Sequence, residues 1–416
     1  MTPAGGSSHF PLAYVVGRFP VRSETFVYRE VRGLRERGWP VIAVSLHEPD
    51  PTEDADLERD RLIVYDSARN QTLMSAAGEI LRHPIRSLGT LLTALGDTVR
   101  SGEHFRFDGR LKIPLQAVAA LGLARRLRER GVRHIHCHFA HAPTTVGMYA
   151  AMQMGIPFSF TGHANDIFRR RSILKIKLRR AAFVACISRW HQALYSSILA
   201  DSDGKYEVIR CGVDVNANGK MNAGSGGGLR LLTVARLVEK KGIDTAISAL
   251  AELNKCGVRA HLTIAGDGPD RGRLEKMAAD LNCRDQITWL GAVCNSRVFA
   301  LLGEADLFAL PSRQDSNGDR DGIPVVLMEA MAAGIPVVAG DLPAIRELVE
   351  DGVTGFLVEE NQPGALADKL AMLWENADLR ERLAREGKKR VEKEFSLSLN
   401  LDRLERRFSA ARKIES

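Results

Sequence analysis

The stretch DGIPVVLMEAMAAGIPVVAG, Asp321 to Gly340, is apolar almost throughout, yet one carboxylate, Asp321, stands at its entrance and another, Glu329, in its middle. Pro324 suits the first turn of a helix, because its fixed φ is already helical and its missing N–H is not needed there. Gly334 suits the stop. The stretch therefore predicts a helix from about Pro324 to Ala333. Gly322 and Ile323 would present backbone N–H groups at its positive end, which is a seat for phosphate. Glu329 falls about one and a half turns beyond Pro324, roughly 7–8 Å along the axis. A buried ionised carboxylate is costly unless it is paired or hydrogen-bonded. A diphosphate at the helix start, with hydroxyl-rich groups on either side, would give both carboxylates a partner; otherwise Asp321 caps the helix and Glu329 reaches solvent.

Upstream of this stretch strands and helices alternate. The runs LRLLTVARL, HLTIAGDGP, ITWLG and LFALPS read as strands, with helices from about Gly242 to Cys256, up to about Asn282, and again before LFALPS. Such alternation implies a parallel sheet covered on both faces, with ligands at the carboxyl ends of the strands. Arg236 and Lys241 lie just beyond the first of these strands, and Gly266, Asp267 and Gly268 beyond the next. A diphosphate held without a metal needs fixed cations, for which Arg offers a fork and Lys a point charge; the alternative for RLVEKKG is a solvated helix start.

The first half has the same rhythm. LAYVVG (Leu12 to Gly17) reads as a strand, SETFVYREVRGLRERG as a helix capped by Ser23 and stopped by Gly38, and PVIAVSL as the next strand. From about Thr72 to Arg130 the pattern is helical and basic. HIHCHFA and PFSFTGH follow as buried strands, and the series ends near YEVIRCGVD. Asn216 to Gly228, NANGKMNAGSGGG, is the low-complexity linker. The expected organisation is α/β: two Rossmann-like doubly wound domains facing a central cleft, at 1–212 and 229–395, joined by a linker at 213–228. A basic amphipathic helix at 396–416 can cap either domain and cross back to the first.

The whole chain agrees with this. Its 416 residues exceed what one core usually serves. A composition 45% hydrophobic and 26% charged excludes a disordered chain or a disulfide scaffold. The six cysteines are scattered with no Cys-x-x-Cys pair, which suits reduced thiols. The N-terminus lacks the pattern of a signal peptide and no apolar run would span a bilayer, so a cytoplasmic location is expected. A net charge of +7 favours an anionic partner.

Three further constellations stand out. His134, His136 and His138 share one strand face with His141 just beyond, and no carboxylate is near them in sequence; a metal, acceptor-side polar lining and structural histidines are all open readings. D-x-D triplets at Asp54 to Asp56, Asp201 to Asp203 and Asp319 to Asp321 could hold a metal on a diphosphate, but Arg236, Lys241 and the helix start already serve that need, so no metal and no cofactor is expected. RRRSILKIKLRR (Arg169 to Arg180) has seven cations, no acid and apolar interleaving, which suits either a solvated basic helix or peripheral contact with an anionic membrane. No nucleic-acid-reading motif accompanies the charge.

As an ordered set, VARLVEKKG, IAGDGP, LPS and DGIPVVLMEAMAAGIPVVAGDLPAIRELVEDGVTGFLV resemble the donor-binding half of retaining glycosyltransferases of the two-Rossmann (GT-B) type, family 4. VVGRFPVRSETFVYREV, IHCHFAHAPTTVGMYAA and GIPFSFTGHANDIF resemble bacterial exopolysaccharide enzymes of the colanic-acid type. The resemblance implies an N-terminal acceptor-binding domain and a C-terminal nucleotide-sugar domain. Arg236 and Lys241 would hold the diphosphate, Glu329 the ribose hydroxyls, and Asp321, the first acid of the family's E-x7-E motif, the donor sugar. His163 would lie near the sugar and reaction centre. Gly322, Ile323, Gly266 and Asp166 would belong to substrate binding. Asp321 stands where Glu is commoner and Pro324 where Gly is, and GRFPVRSET replaces the family's glycine-rich loop, leaving Arg18, Arg22 and Ser23 as phosphate or acceptor contacts. The implied reaction moves a sugar from a UDP-linked donor to a glycan or polyprenyl-diphosphate-linked acceptor for surface polysaccharide, on the inner face of the plasma membrane. An epimerase, a phosphorylase or a sugar-binding module on the same fold are the alternatives.

Overall fold

The structure is a computed structural model that describes residues 9–21, 24–50, 58, 60–100, 112–163, 173–201, 203–215 and 227–413. The chain divides into two units, Met1–Arg210 with Asn400–Ser416, and Cys211–Leu399.

The first unit is built on a seven-stranded sheet: β1 (Leu12–Val16), β2 (Val41–Ser45), β3 (Arg61–Ile63), β4 (His134–His138), β5 (Phe158–Gly162), β6 (Phe183–Cys186) and β7 (Tyr206–Val208), in the order β3-β2-β1-β4-β5-β6-β7. All pairings are parallel. β1, β2, β4, β5 and β6 are buried along their whole length, as expected where helices cover both faces. α1 (Thr25–Glu36) buries Val27, Val31 and Leu34 at helical spacing, with Glu30 on the same stripe. Its first flanking residue is Glu24, whose side chain makes no capping bond, in place of the expected Ser23 cap; Ser23 lies outside the described residues. Then come α2 (Arg69–Arg82), α3 (Pro84–Arg100), α4 (Lys112–Arg128), α5 (Ala142–Met154), α6 (Leu174–Arg180) and α7 (Arg189–Ile198).

The second unit holds β8 (Leu229–Val234), β9 (Ala260–Ala265), β10 (Ile287–Gly291), β11 (Leu307–Leu310), β12 (Val337–Gly340) and β13 (Phe356–Val358), all parallel in the order β10-β9-β8-β11-β12-β13. Its helices are α8 (Ile243–Lys255), α9 (Arg271–Asp280), α10 (Asn295–Glu304), α11 (Val325–Ala332), α12 (Pro363–Glu375) and α13 (Ala377–Glu394). The last helix, α14 (Leu397–Lys413), belongs to the first unit from Asn400 onward. There it buries Leu401, Leu404, Phe408 and Ala411, sets Phe408 against the rings of Tyr14, Trp39 and Phe183, and presents Asp402 and Glu405 to Arg37 at 2.6 and 2.9 Å.

In each sheet the strand order reverses once, between β1 and β4 and between β8 and β11. Loops leaving the carboxyl ends of those strands diverge and leave room for a ligand. Among the described residues no helix is long and apolar enough to cross a membrane.

Candidate functional site

In the second unit the loops after β8 and β11, on either side of the reversal, are fastened to each other. Gly242, in the left-handed region at φ +64°, ends the β8 loop where a Cβ would lie 2.0 Å from the Pro311 carbonyl. The Arg313 N–H bonds the Lys240 carbonyl at 2.9 Å, and its guanidinium grips Asp244 through two nitrogens at 2.9 and 2.8 Å. The loop after β9 packs on the same loop: a Cβ on Gly266, at φ +147°, would lie 1.8 Å from the Ala235 carbonyl. Gly266 is thus required by the close approach of two loops, one of which carries Arg236.

This scaffold brings Lys241 and Asp321 together. Lys241 Nζ donates to Asp321 Oδ2 at 2.7 Å and Ser312 Oγ to the same oxygen at 2.9 Å, while Lys240 Nζ lies 3.1 Å from Asp319 and 3.7 Å from Asp321. Burial alone would raise the Asp321 carboxyl, but Lys241, Lys240 and the hydrogen bonds from Lys241 and Ser312 outweigh it and hold the group below the ordinary carboxylate range. Arg236 is exposed at the end of β8 and makes no side-chain hydrogen bond or ion pair among the described residues. Lys240 and Lys241 are thus balanced by Asp319 and Asp321, and Arg236 adds one positive charge beyond that set.

Pro324 differs from expectation by one position. Its ψ of 128° is extended, so it is the flanking residue of α11 rather than its first helical one, and its carbonyl accepts the Leu327 N–H at 3.1 Å. The helix-start N–H groups without intrahelical acceptors are therefore those of Val325 and Val326, next to Gly322 and Ile323. Glu329 is buried on α11, on a helix otherwise lined by Leu327, Met328, Ala330 and Met331. Sequence reasoning missed Lys240 and Ser312; the lysine doublet was the available signal for the first, whereas Ser312 only acquires its partner through the fold.

In the first unit the histidine row joins a carboxylate that sequence proximity did not show. His138 hydrogen-bonds with Glu30 at 3.2 Å and with His163 at 3.2 Å; Tyr14 donates its hydroxyl to Glu30 at 2.8 Å. His136 is held by Ser159 at 2.8 Å and Thr161 at 2.9 Å, and His134 shares Ser159 at 2.7 Å. Glu30, His136 and His138 each place one ligand atom within 4.8 Å of the others, a set that could hold a metal. Their nitrogens are already engaged with hydroxyls, Glu30 and His163, so the protein satisfies them itself, and the structural reading of the row carries most weight.

Burial pushes His134 down to about 3, and lowers His136 and His163, each further depressed by neighbouring imidazoles. These rings stay neutral at physiological pH. Because the unfolded chain would protonate them near their ordinary 6.5, it binds more protons than the folded chain below that pH. The stability they leave intact above pH 6.5 is lost as pH falls, by up to about 1.4 kcal/mol per pH unit for each ring. Urea unfolding at pH 7.5, 6.5 and 5.5 is expected to give falling midpoints, with a shallower fall in His134→Gln. A midpoint flat down to pH 5.5 would contradict neutral burial.

Other expected positions separate. In the described part of the segment read as a membrane contact, Ile173, Leu174 and Leu178 lie in the core, Lys177 is fully buried with Nζ donating to the carbonyls of Ala140 and His141 at 2.6 and 3.0 Å, and Arg180 grips the buried Asp97 at 2.5 and 2.9 Å, while Lys175 and Arg179 are exposed. Its apolar residues are interior side chains and two of its cations are structural. Arg169 to Ser172, Asp166, Arg22 and the triplet at Asp54 to Asp56 lie outside the described residues. Arg18 is exposed beyond β1. Asp201 accepts the backbone N–H groups of Lys205 and Tyr206 at 2.6 and 2.9 Å, which makes it a turn residue.

Residues 23–217 match the family model described as Glycosyltransferase Family 4, and residues 222–390 that described as Glycosyl transferases group 1. The chain is 31% identical over 390 residues, 86% of its own length and 89% of the relative's, to WcaL of Salmonella typhimurium, named as a colanic acid biosynthesis glycosyltransferase. It is 40% identical over 170 residues to the amylovoran biosynthesis glycosyltransferase AmsK of Erwinia amylovora, covering 41% of this chain and 42% of that one. Its fold matches the crystal structure of Anabaena HepE in complex with UDP and glucose at a TM-score of 0.70 and 18% identity, over 97% of this chain and 100% of that one. The two parallel sheets have the GT-B architecture.

Proposed function

We propose that this chain, which belongs to the family 4 glycosyltransferases, transfers a sugar from a UDP-linked donor to a glycan or polyprenyl-diphosphate-linked acceptor in surface polysaccharide biosynthesis, with retention at the anomeric carbon and without a metal. The observation that carries the reading is the loop pair at the β8/β11 reversal, where Arg236 is exposed with no ion pair among the described residues and Lys241 is fixed on Asp321, ahead of α11. A departing diphosphate would gain two cations and the helix-start N–H groups, placed in advance of the reaction. The anomeric C–O bond breaks through an oxocarbenium-like state, its electrons passing to the β-phosphate oxygen. The acceptor oxygen bonds the same face, and its proton passes to the departing phosphate. Asp321 is tied to Lys241 and Ser312, so it is assigned contact with the sugar rather than nucleophilic attack. His163, held neutral by burial, is assigned hydrogen bonding rather than acid catalysis. Peripheral attachment to the inner membrane face belongs to the same reading.

Asp319 and Asp321, the one D-x-D pair beside the loops, already face Lys240 and Lys241, which leaves little negative charge to attract a divalent ion. Transfer is therefore expected to persist in excess EDTA. The test screens purified protein against UDP- and GDP-linked sugars for thermal stabilisation and donor hydrolysis, with and without EDTA. Complete loss in EDTA restored by magnesium or manganese would overturn the metal-free reading, and stabilisation by GDP-sugars alone would overturn the donor.

A further inference from the structure

Helix α3 is amphipathic in the reverse of the usual sense. Its buried face carries Ser87, Thr90, Ala94 and Asp97, while Ile85, Leu88, Leu92, Leu95 and Val99 face outward, spaced 3, 4, 3 and 4 residues apart. Ile85 and Val99 are 88% and 84% exposed. On α2 the exposed Leu73, Met74, Ile80 and Leu81 continue the pattern, with Leu81 at 82% and Met74 at 75%. The polar groups turned inward are satisfied there: Glu79 takes Arg128 at 2.6 Å and Gln153 at 2.9 Å, Asp97 takes Tyr149 at 2.9 Å and the Arg180 guanidinium, and Thr90 meets Gln153 at 2.9 Å. Nine large apolar side chains on two consecutive helices far exceed scattered surface exposure, and such a patch marks an interaction site.

We propose that the outer face of α2 and α3 lies in the interface of an anionic bilayer. Charge decides between the occupants. From Arg69 to Arg100 the only acids are Glu79 and Asp97, both buried. The exposed charges are Arg69, Arg82, Arg86 and Arg100, with His83 beside them. An apolar stripe flanked by cations with no carboxylate fits acyl chains below and phosphate headgroups around. A second copy on the same face would bring like charges together, with no exposed acid from Arg69 to Arg100 to answer them. α3, at 17 residues, runs about 25 Å, which suits lying in the interface plane. The inference rests on the peripheral attachment proposed above, not on the sugar donor or the chemistry of transfer: a parent that does not float would overturn both, whereas parent-like binding by a triple serine variant of α3 would overturn this surface alone.

The experiment is co-flotation of the full chain with vesicles of phosphatidylcholine alone or mixed with phosphatidylglycerol, at low and high salt. The parent is expected to float with the mixed vesicles and to bind neutral ones about tenfold more weakly. Leu88→Ser/Leu92→Ser/Leu95→Ser is expected to lose about tenfold or more on mixed vesicles, with an unchanged circular dichroism melt because the three side chains are exposed. Arg69→Glu/Arg82→Glu is expected to lose the preference for anionic lipid while UDP binding stays as in the parent. Three results would overturn the proposal: no flotation of the parent at low salt, parent-like binding by the triple serine variant, or a parent that is dimeric without binding vesicles and becomes monomeric in that variant.

Discussion

Arg236→Ala is expected to leave the melting temperature of the protein unchanged and to lower kcat/KM by about two to three orders of magnitude, the scale for removing one preorganised charge-stabilising group. The two halves of this expectation separate because Arg236 is exposed and makes no side-chain hydrogen bond or ion pair among the described residues, and surface substitutions away from special features usually change stability by less than about 0.5 kcal/mol. Lys241→Ala is expected to cost as much activity, but it also strips the 2.7 Å partner from Asp321, so its melt falls. A double-mutant cycle resolves the ambiguity. If Lys241 serves only to neutralise Asp321, Lys241→Ala/Asp321→Asn is no less active than Asp321→Asn alone. If Lys241 holds the departing diphosphate, the double variant loses about as much again relative to Asp321→Asn as Lys241→Ala loses relative to the parent. A double variant as active as Asp321→Asn, or parent-like turnover in Arg236→Ala, would remove the basis for the phosphate site.

Glu329→Gln and Asp321→Asn are expected to part company when titrated with UDP. The proposal gives Glu329 the ribose, which UDP and its sugars share, and a hydrogen bond to a charged group contributes roughly 1.5–3 kcal/mol; UDP affinity should fall about tenfold to a hundredfold. Asp321 is given the sugar, which UDP lacks. Its neutralisation releases Lys241 from a competing carboxylate, so UDP affinity should stay level or rise while turnover drops and donor choice blurs. Calorimetry with UDP alone is the measurement. Equal losses in the two variants, or none in Glu329→Gln, would mean that the carboxylates do not bracket a diphosphate.

By itself the sequence determined the alternation of strands and helices, the parallel sheets, and the placing of Arg236, Lys241, Gly266 and Asp321 on loops beyond strand ends. These follow from local signals: runs buried on both faces, the period of helical stripes, and Gly and Pro where φ demands them. The α11 boundary moved by only one residue, since Pro324 has a φ that suits both the flanking and the first helical position and only ψ distinguishes them. The tertiary structure decided everything that depends on which distant groups meet. Lys241 and Asp321 stand 80 residues apart and Glu30 and His138 stand 108 apart, so neither pair has a local signature; the place of Glu30 on the apolar stripe of α1 was an available signal that the sequence analysis did not take up. The same holds for burial. Periodicity reveals that a helix has two faces, but which face turns inward depends on whether the interior can satisfy the polar one. The interior supplies Arg128, Gln153, Tyr149 and Arg180 to Glu79 and Asp97, so the apolar face of α3 stays outside, while Lys177, read as a surface cation, finds two carbonyls and goes inside.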